Sequence, residues 1–150
     1  MIDLSERVVL VTGAGGGLGR EHALLFAAHG ARVAVNDLSE TQAQAVVDEI
    51  AAAGGQAMAV AASVADMSEV EAMVTRISDT WGRIDGLVNN AGILRDKSFA
   101  KMDLADFRLV MDVHVMGAVH CCKAVWPLMQ AQGFGRIVMT TSSSGLYGNF

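Results

Sequence analysis

The segment that most constrains this chain is Arg7–Gly30, RVVLVTGAGGGLGREHALLFAAHG. Its apolar run, Val8-Val9-Leu10-Val11, has no polar alternation, which predicts a strand buried on both faces of a parallel sheet. The run leads into Thr12-Gly13-Ala14-Gly15-Gly16-Gly17-Leu18-Gly19. A helical segment follows, in which Leu18, Ala23, Leu24, Phe26 and Ala27 fit one apolar face. Glycine lets the backbone take positive φ and come close to a ligand. A helix start offers unpaired N–H groups and a partial positive charge to an anion. Strand, glycine turn and helix in this order form the setting of a phosphate-binding loop. The pattern Gly-x-Gly-x-x-Gly cannot be placed so that its last glycine packs the helix onto the strand. The spacing that stands is Thr12-Gly13-x-x-x-Gly17-x-Gly19.

The same alternation continues to the end of the chain. Strands are predicted over Ala31–Asp37, Gln56–Ala62, a run ending at Asn89-Asn90-Ala91-Gly92, and Arg136–Thr141. Helices are predicted over Ser39–Ala53, Met67–Trp81 and Leu104–Gln132, with Pro127 kinking or starting the last turns. In the long helix Phe107, Val110, Met111, His114, Val115, Ala118 and Val119 fall on related faces. Alternating strands and helices predict an α/β fold: a doubly wound, Rossmann-like parallel sheet with right-handed crossovers and strand order 3-2-1-4-5, in one domain over 1–150. Asp37, Ser63, Asn90 and Ser142 then fall at carboxyl ends of strands, where open α/β sheets bind ligands. Asp37 lies 18 residues past Gly19, near the ~20-residue spacing of a ribose-binding carboxylate. Its charge repels a 2′-phosphate and Leu38 offers no cation, so NAD is expected over NADP. A second reading of Asp37, as the start of an Asp-Leu-Ser turn that caps the next helix, stays open.

A net charge of −5 without a basic patch argues against nucleic acid as a partner. No wholly apolar run reaches the ~20 residues of a membrane span, and the first six residues do not read as a signal peptide. Cys121 and Cys122 are adjacent, about 100° apart on a helix, without zinc-like spacing. Structural thiols, no metal site and a reducing, cytoplasmic setting are expected.

Thr12-Gly13-x-x-x-Gly17-x-Gly19 in register with Asn89-Asn90-Ala91-Gly92 resembles the short-chain dehydrogenase/reductase family. The resemblance implies that Gly13, Gly17, Leu18 and Gly19 hold the cofactor, that Ser63-Val64 (Asp-Val in many members) meets the adenine, and that Asn90, Ala91 and Gly92 flank the nicotinamide ribose. It implies a serine on the substrate carbonyl, best matched by Ser142, with Ser143 and Ser144 as the next choices. The family's proton-transferring tyrosine and its lysine fall beyond Phe150, so the 150 residues are expected to be inactive alone, with the sheet truncated after its fifth strand. Tyr147 has no lysine after it and reads as a packing or substrate-loop residue. A family asparagine that holds a relay water falls at His114, which either holds that water or packs the helix. His22, His29 and His120 have no partner motif and read as helix surface or packing.

Within the family, Val35–Leu38, Asn89–Asp96, Val113–Val115 and Ser144–Phe150 resemble the peroxisomal (3R)-hydroxyacyl-CoA dehydrogenase branch, the unit found in multifunctional enzyme type 2. The implied reaction is hydride transfer between NAD and a secondary alcohol or ketone, such as a 3-hydroxyacyl-CoA, by a homo-oligomer. The setting is then the cytoplasm, or the peroxisome in a eukaryote. A reading from another class is a non-catalytic nucleotide-binding module acting through partner association. A Tyr-x-x-x-Lys after Phe150 separates the two. Nothing in the chain blunts the exposed edge of the fifth strand, which favours the enzyme.

Overall fold

The computed structural model describes residues 2–148. Five parallel strands, β1 (Val8–Val11), β2 (Arg32–Asp37), β3 (Gln56–Ala61), β4 (Gly86–Asn89) and β5 (Arg136–Met139), form one sheet in the order β3-β2-β1-β4-β5. The order reverses at β1, so the loop after β1 opens at a topological switch point.

The helices cover both faces of β1, β2 and β4, whose residues are apolar on both, while β5 leaves Val138 and Met139 about half exposed. Val9, Val11, Val33 and Val35 face α1 (Gly17–Ala28) and α2 (Glu40–Ala52), where Ala23, Ala43, Val46 and Ile50 close the layer. Val8, Leu10 and Ala34 face the opposite way, towards α3 (Met67–Trp81) and α5 (Gly117–Gln132), and pack with Val70, Met73, Ile77, Cys121 and Val125. Burial of the Cys121 thiol, reinforced by neighbouring Cys122, pushes its pKa up to about 12, in keeping with a structural thiol.

Helix α3 runs over the predicted residues because its signals agree: Asp66 accepts from the Ser68 and Glu69 amides at the start, and Gly82 takes a left-handed conformation at the end. Ser39 caps α2, accepting from Gln42 N at 3.4 Å.

The segment Leu104–Gln132 differs from expectation in two ways. It is helical throughout but changes pitch: α4 (Leu104–Met111) passes through a π-helical stretch, Asp112–Met116, into α5. Helix α5 continues past Pro127 to Gln132. Its packed stripe is Gly117, Cys121, Val125 and Met129, whereas Phe107, Met111, Val115 and Val119 are exposed. Periodicity gathers apolar residues on a face, but only the neighbours decide which face is covered. By length and composition Leu104–Gln132 could also span a bilayer; here its Cys121 stripe packs on the sheet instead. Leu18, read as part of the α1 core face, is 68% exposed at the helix start. Ser144–Tyr147 form one helical turn, α6.

Candidate functional site

The loop after β1 is held to the end of β4 by neutral hydrogen bonds. The Thr12 hydroxyl donates to Val88 O (3.3 Å) and accepts from the amides of Asn90 and Ala91 (both 3.0 Å). The Asn90 side-chain amide donates to Thr12 O (2.9 Å) and Gly13 O (3.1 Å). Glycine is required where these segments touch. A Cβ on Gly13, whose φ is +60°, would stand 2.8 Å from Ala91 Cα, and one on Gly19 would overlap Gly13 O and the Asn90 amide. Gly19 is thus the residue that packs the new helix onto the strand.

Gly17 (φ +53°) opens α1, and a Cβ there would meet nothing. Among the described residues, the amides of Gly17, Leu18 and Gly19 have no acceptor. The backbone therefore offers an uncrowded row of donors at a helix start, which suits an anion.

Six of the expected cofactor residues, Gly13, Asp37, Ser63, Val64, Ala91 and Gly92, line one cavity of about 190 Å³. The Asp37 carboxylate accepts from Ser39 N through Oδ1, as the turn reading requires, and from Gly15 N through Oδ2, both at 3.0 Å, while the cap of α2 is Ser39. Two acceptor positions remain for a diol. No lysine or arginine lines this cavity, and Leu38 beside Asp37 is 76% exposed. Asn36 prepares the same edge from beneath, its side-chain amide donating to Val60 O (3.1 Å) and Ala62 O (3.0 Å).

A second cavity, of about 300 Å³, shares Val64, Ala91 and Val113 with the first and extends to Asn90, His114 and Ser142. Ser142 is the member of the serine run that lines it; its Oγ accepts from Ser144 N at 3.2 Å. Tyr147 is 86% exposed and does not line it. His114 stands on the π-helical stretch with Nε2 3.0 Å from Ile93 N and 2.9 Å from Ile93 O. One tautomer accepts from that amide and the other donates to that carbonyl. The ring lies so close to Gly92 that a Cβ there would be 2.6 Å from its Cε1.

This set of groups (a helix-start donor row, a carboxylate without a neighbouring cation, and a second cavity reaching a serine) can accommodate a dinucleotide and a small polar reactant. Residues 7–150 match the family described as short chain dehydrogenase. The chain belongs to that family. It is 52% identical to the peroxisomal multifunctional enzyme type 2 of Drosophila melanogaster, over 96% of this chain and 25% of the relative. It is 47% identical to the 3-oxoacyl-[acyl-carrier-protein] reductase of a Synechocystis strain, over 99% of this chain and 61% of the relative. A solved 7α-hydroxysteroid dehydrogenase, complexed with NADH and 7-oxo glycochenodeoxycholic acid, superposes with a TM-score of 0.94 at 37% identity, covering 99% of this chain and 58% of the other. The chain thus spans between a quarter and about three-fifths of the lengths of these proteins. The family consists of oxidoreductases that use nicotinamide cofactors.

Sequence reasoning noticed Thr12 as part of the glycine motif but gave it no role at the site. Asn36, one residue before Asp37, carried no signal beyond an amide at a strand end.

Proposed function

We propose that this chain, read as one dinucleotide-binding unit over 1–150, supplies the cofactor half of an NAD-dependent dehydrogenase. The reaction is hydride transfer between NAD and a secondary alcohol or ketone, with 3-hydroxyacyl thioesters as the favoured substrates. The observation that carries this reading is the pair of cavities sharing Val64, Ala91 and Val113, with Asp37 at one end and Ser142 at the other.

The α1 start, with Gly17, Leu18 and Gly19, takes the pyrophosphate on its free amides. Asp37 accepts from the adenosine ribose and rejects a 2′-phosphate, since no cation of the cavity wall compensates the charge. Ser63 and Val64 border the adenine. Asn90, Ala91 and Gly92 border the nicotinamide ribose. When bound, the nicotinamide carries the hydride. Ser142 donates a hydrogen bond to the substrate oxygen, and His114 holds Ile93 through Nε2 while Nδ1 remains for a relay water. The acyl-thioester preference is supported by the 3-oxoacyl-[acyl-carrier-protein] reductase relative. The peroxisomal multifunctional relative supports a peroxisomal setting if the source is eukaryotic; otherwise we place the protein in the cytoplasm. The exposed row Phe107, Met111, Val115 and Val119 supports association of like chains through the long helix.

Calorimetric titration with NAD and NADP, beside Asp37→Ala, tests the reading. Saturable NAD binding that is preferred over NADP, and that falls about tenfold in the variant, is the expected result. Equal affinity for the two cofactors, or binding indifferent to Asp37, would overturn the assignment.

A further inference from the structure

The loop Ser63–Asp66, between β3 and α3, forms one wall of both cavities through Val64, its one residue buried in the core. Three contacts from outside hold it. The Glu69 carboxylate accepts from Ser63 N at 2.6 Å. Gly117 of α5 presses against the Val64 side chain so closely that a Cβ there would stand 2.7 Å from Val64 Cγ2. One helical turn further on, His120 Nδ1 lies 2.9 Å from Val64 O. A carbonyl oxygen only accepts, so this contact fixes the tautomer with the proton on Nδ1. The Asp66 carboxyl beyond it is held below the usual carboxylate range by the Ser68 hydroxyl and the Glu69 and Ser68 amides, and to a smaller extent by the His120 ring. The Ser63 hydroxyl makes no hydrogen bond among the described residues and borders the smaller cavity.

We propose that His120 is a positioning residue for the adenosine end of the dinucleotide: by donating from Nδ1 to Val64 O it fixes the Ser63–Val64 backbone at the distance the nucleoside needs. The inference rests on the cofactor reading given above. Its physical reason is a division of labour on α5. Gly117 sets the depth of the Val64 side chain, which faces both cavities, and shape alone maintains that contact. The Val64 carbonyl is held by the His120 hydrogen bond, while Ser63 N and Ser63 O are held by the Glu69 carboxylate and the Asp66 amide. Loss of the Nδ1 donor releases the adenosine wall, whereas the larger cavity keeps the Val64 side chain as its wall.

The test is calorimetric titration of the full chain with adenosine 5′-monophosphate and, separately, nicotinamide mononucleotide, for wild type, His120→Phe and His120→Asn. The asparagine amide can stand where Nδ1 stands; phenylalanine fills the space without a donor. The expected result is a loss of about fivefold in adenosine monophosphate affinity for His120→Phe, less than about twofold for nicotinamide mononucleotide, and recovery with His120→Asn. Should His120→Phe fail to fold, His120→Gln replaces it, since its amide reaches the Nε2 position instead and leaves Val64 O without the donor. Unchanged adenosine monophosphate affinity in His120→Phe, with binding that still depends on Asp37, would overturn this proposal alone. Parallel loss of both nucleotides without recovery in His120→Asn would make His120 a fold residue only and would also overturn it. A wild type that binds neither nucleotide would overturn this proposal together with the cofactor reading.

Discussion

Strands β1 and β4 are tied together at both ends, by opposite chemistry. At their amino ends the buried Asp85 carboxylate accepts from Val8 N (3.0 Å), Arg7 Nη1 (3.0 Å), and Arg83 Nε (2.8 Å) and Nη2 (2.6 Å). The Arg7 and Arg136 guanidiniums lie 4.2 and 4.6 Å from the Phe134 ring centroid. At their carboxyl ends the ties are the neutral Thr12 hydroxyl and Asn90 amide. A carboxylate in that position would repel a pyrophosphate, and an arginine would fill the space that Gly13 and Ala91 leave open. The amino end uses charge for cohesion. Burial pulls the Asp85 carboxyl upward, but the Arg83 side chain, the Val8 amide and the Arg7 side chain outweigh it and hold the carboxyl below its usual range.

The contrast can be broken most severely at Gly19. Gly19→Ala puts a methyl group into Gly13 O and the Asn90 amide, and should cost about 3 kcal/mol together with most of the NAD affinity. A denaturation midpoint within error of wild type would show that the two segments can separate freely. Asp85→Asn should cost about 2 kcal/mol, moderated because Arg7 and Arg83 are each more than a third exposed, and should leave NAD affinity unchanged. A change in cofactor affinity would mean that the two ends are coupled.

The pH dependence of that variant sharpens the point. The folded-state pKa of Asp85 lies below its unfolded value of 3.8. Its stabilising contribution is therefore fully present above the unfolded value and is lost as pH falls through the lower folded value. Urea midpoints measured from neutral pH downward should show the wild-type advantage over Asp85→Asn shrinking below about pH 4. Thr12→Val has the smallest effect, about 1 kcal/mol, with Thr12→Ser recovering most of it. Equal midpoints for valine and serine would mean that the hydroxyl contributes nothing to the tie.

The legible part of this molecule was the part written in local pattern. Val8–Val11, the glycine run, the helical span Met67–Trp81 and the βα alternation each signal within a few residues, and the sheet order follows from connection rules that apply to any such chain. The positions of Asp37, Ser63, Asn90 and Ser142 at strand ends followed for the same reason. Their partners were less legible. Nothing adjacent to Thr12 in sequence announces that its hydroxyl serves two amides 78 and 79 residues away. His120 looked like any helix histidine, since Val64 O is 56 residues distant. The apolar positions of Leu104–Gln132 fell on related faces without showing which one packs; the packed side is the Gly117–Met129 stripe, and the change of pitch at Asp112–Met116 is not written in any local signal.

The sequence by itself determined which elements form, in what order they lie, and which residues stand at the ligand edge, because helix and strand periodicity, capping and crossover handedness act over short distances. Only the tertiary structure decided which backbone groups those residues hold, which helix face is covered, and how closely the Gly13 loop meets Ala91. Those outcomes depend on contacts between segments far apart in the chain, whose geometry is fixed when the two layers close on the sheet.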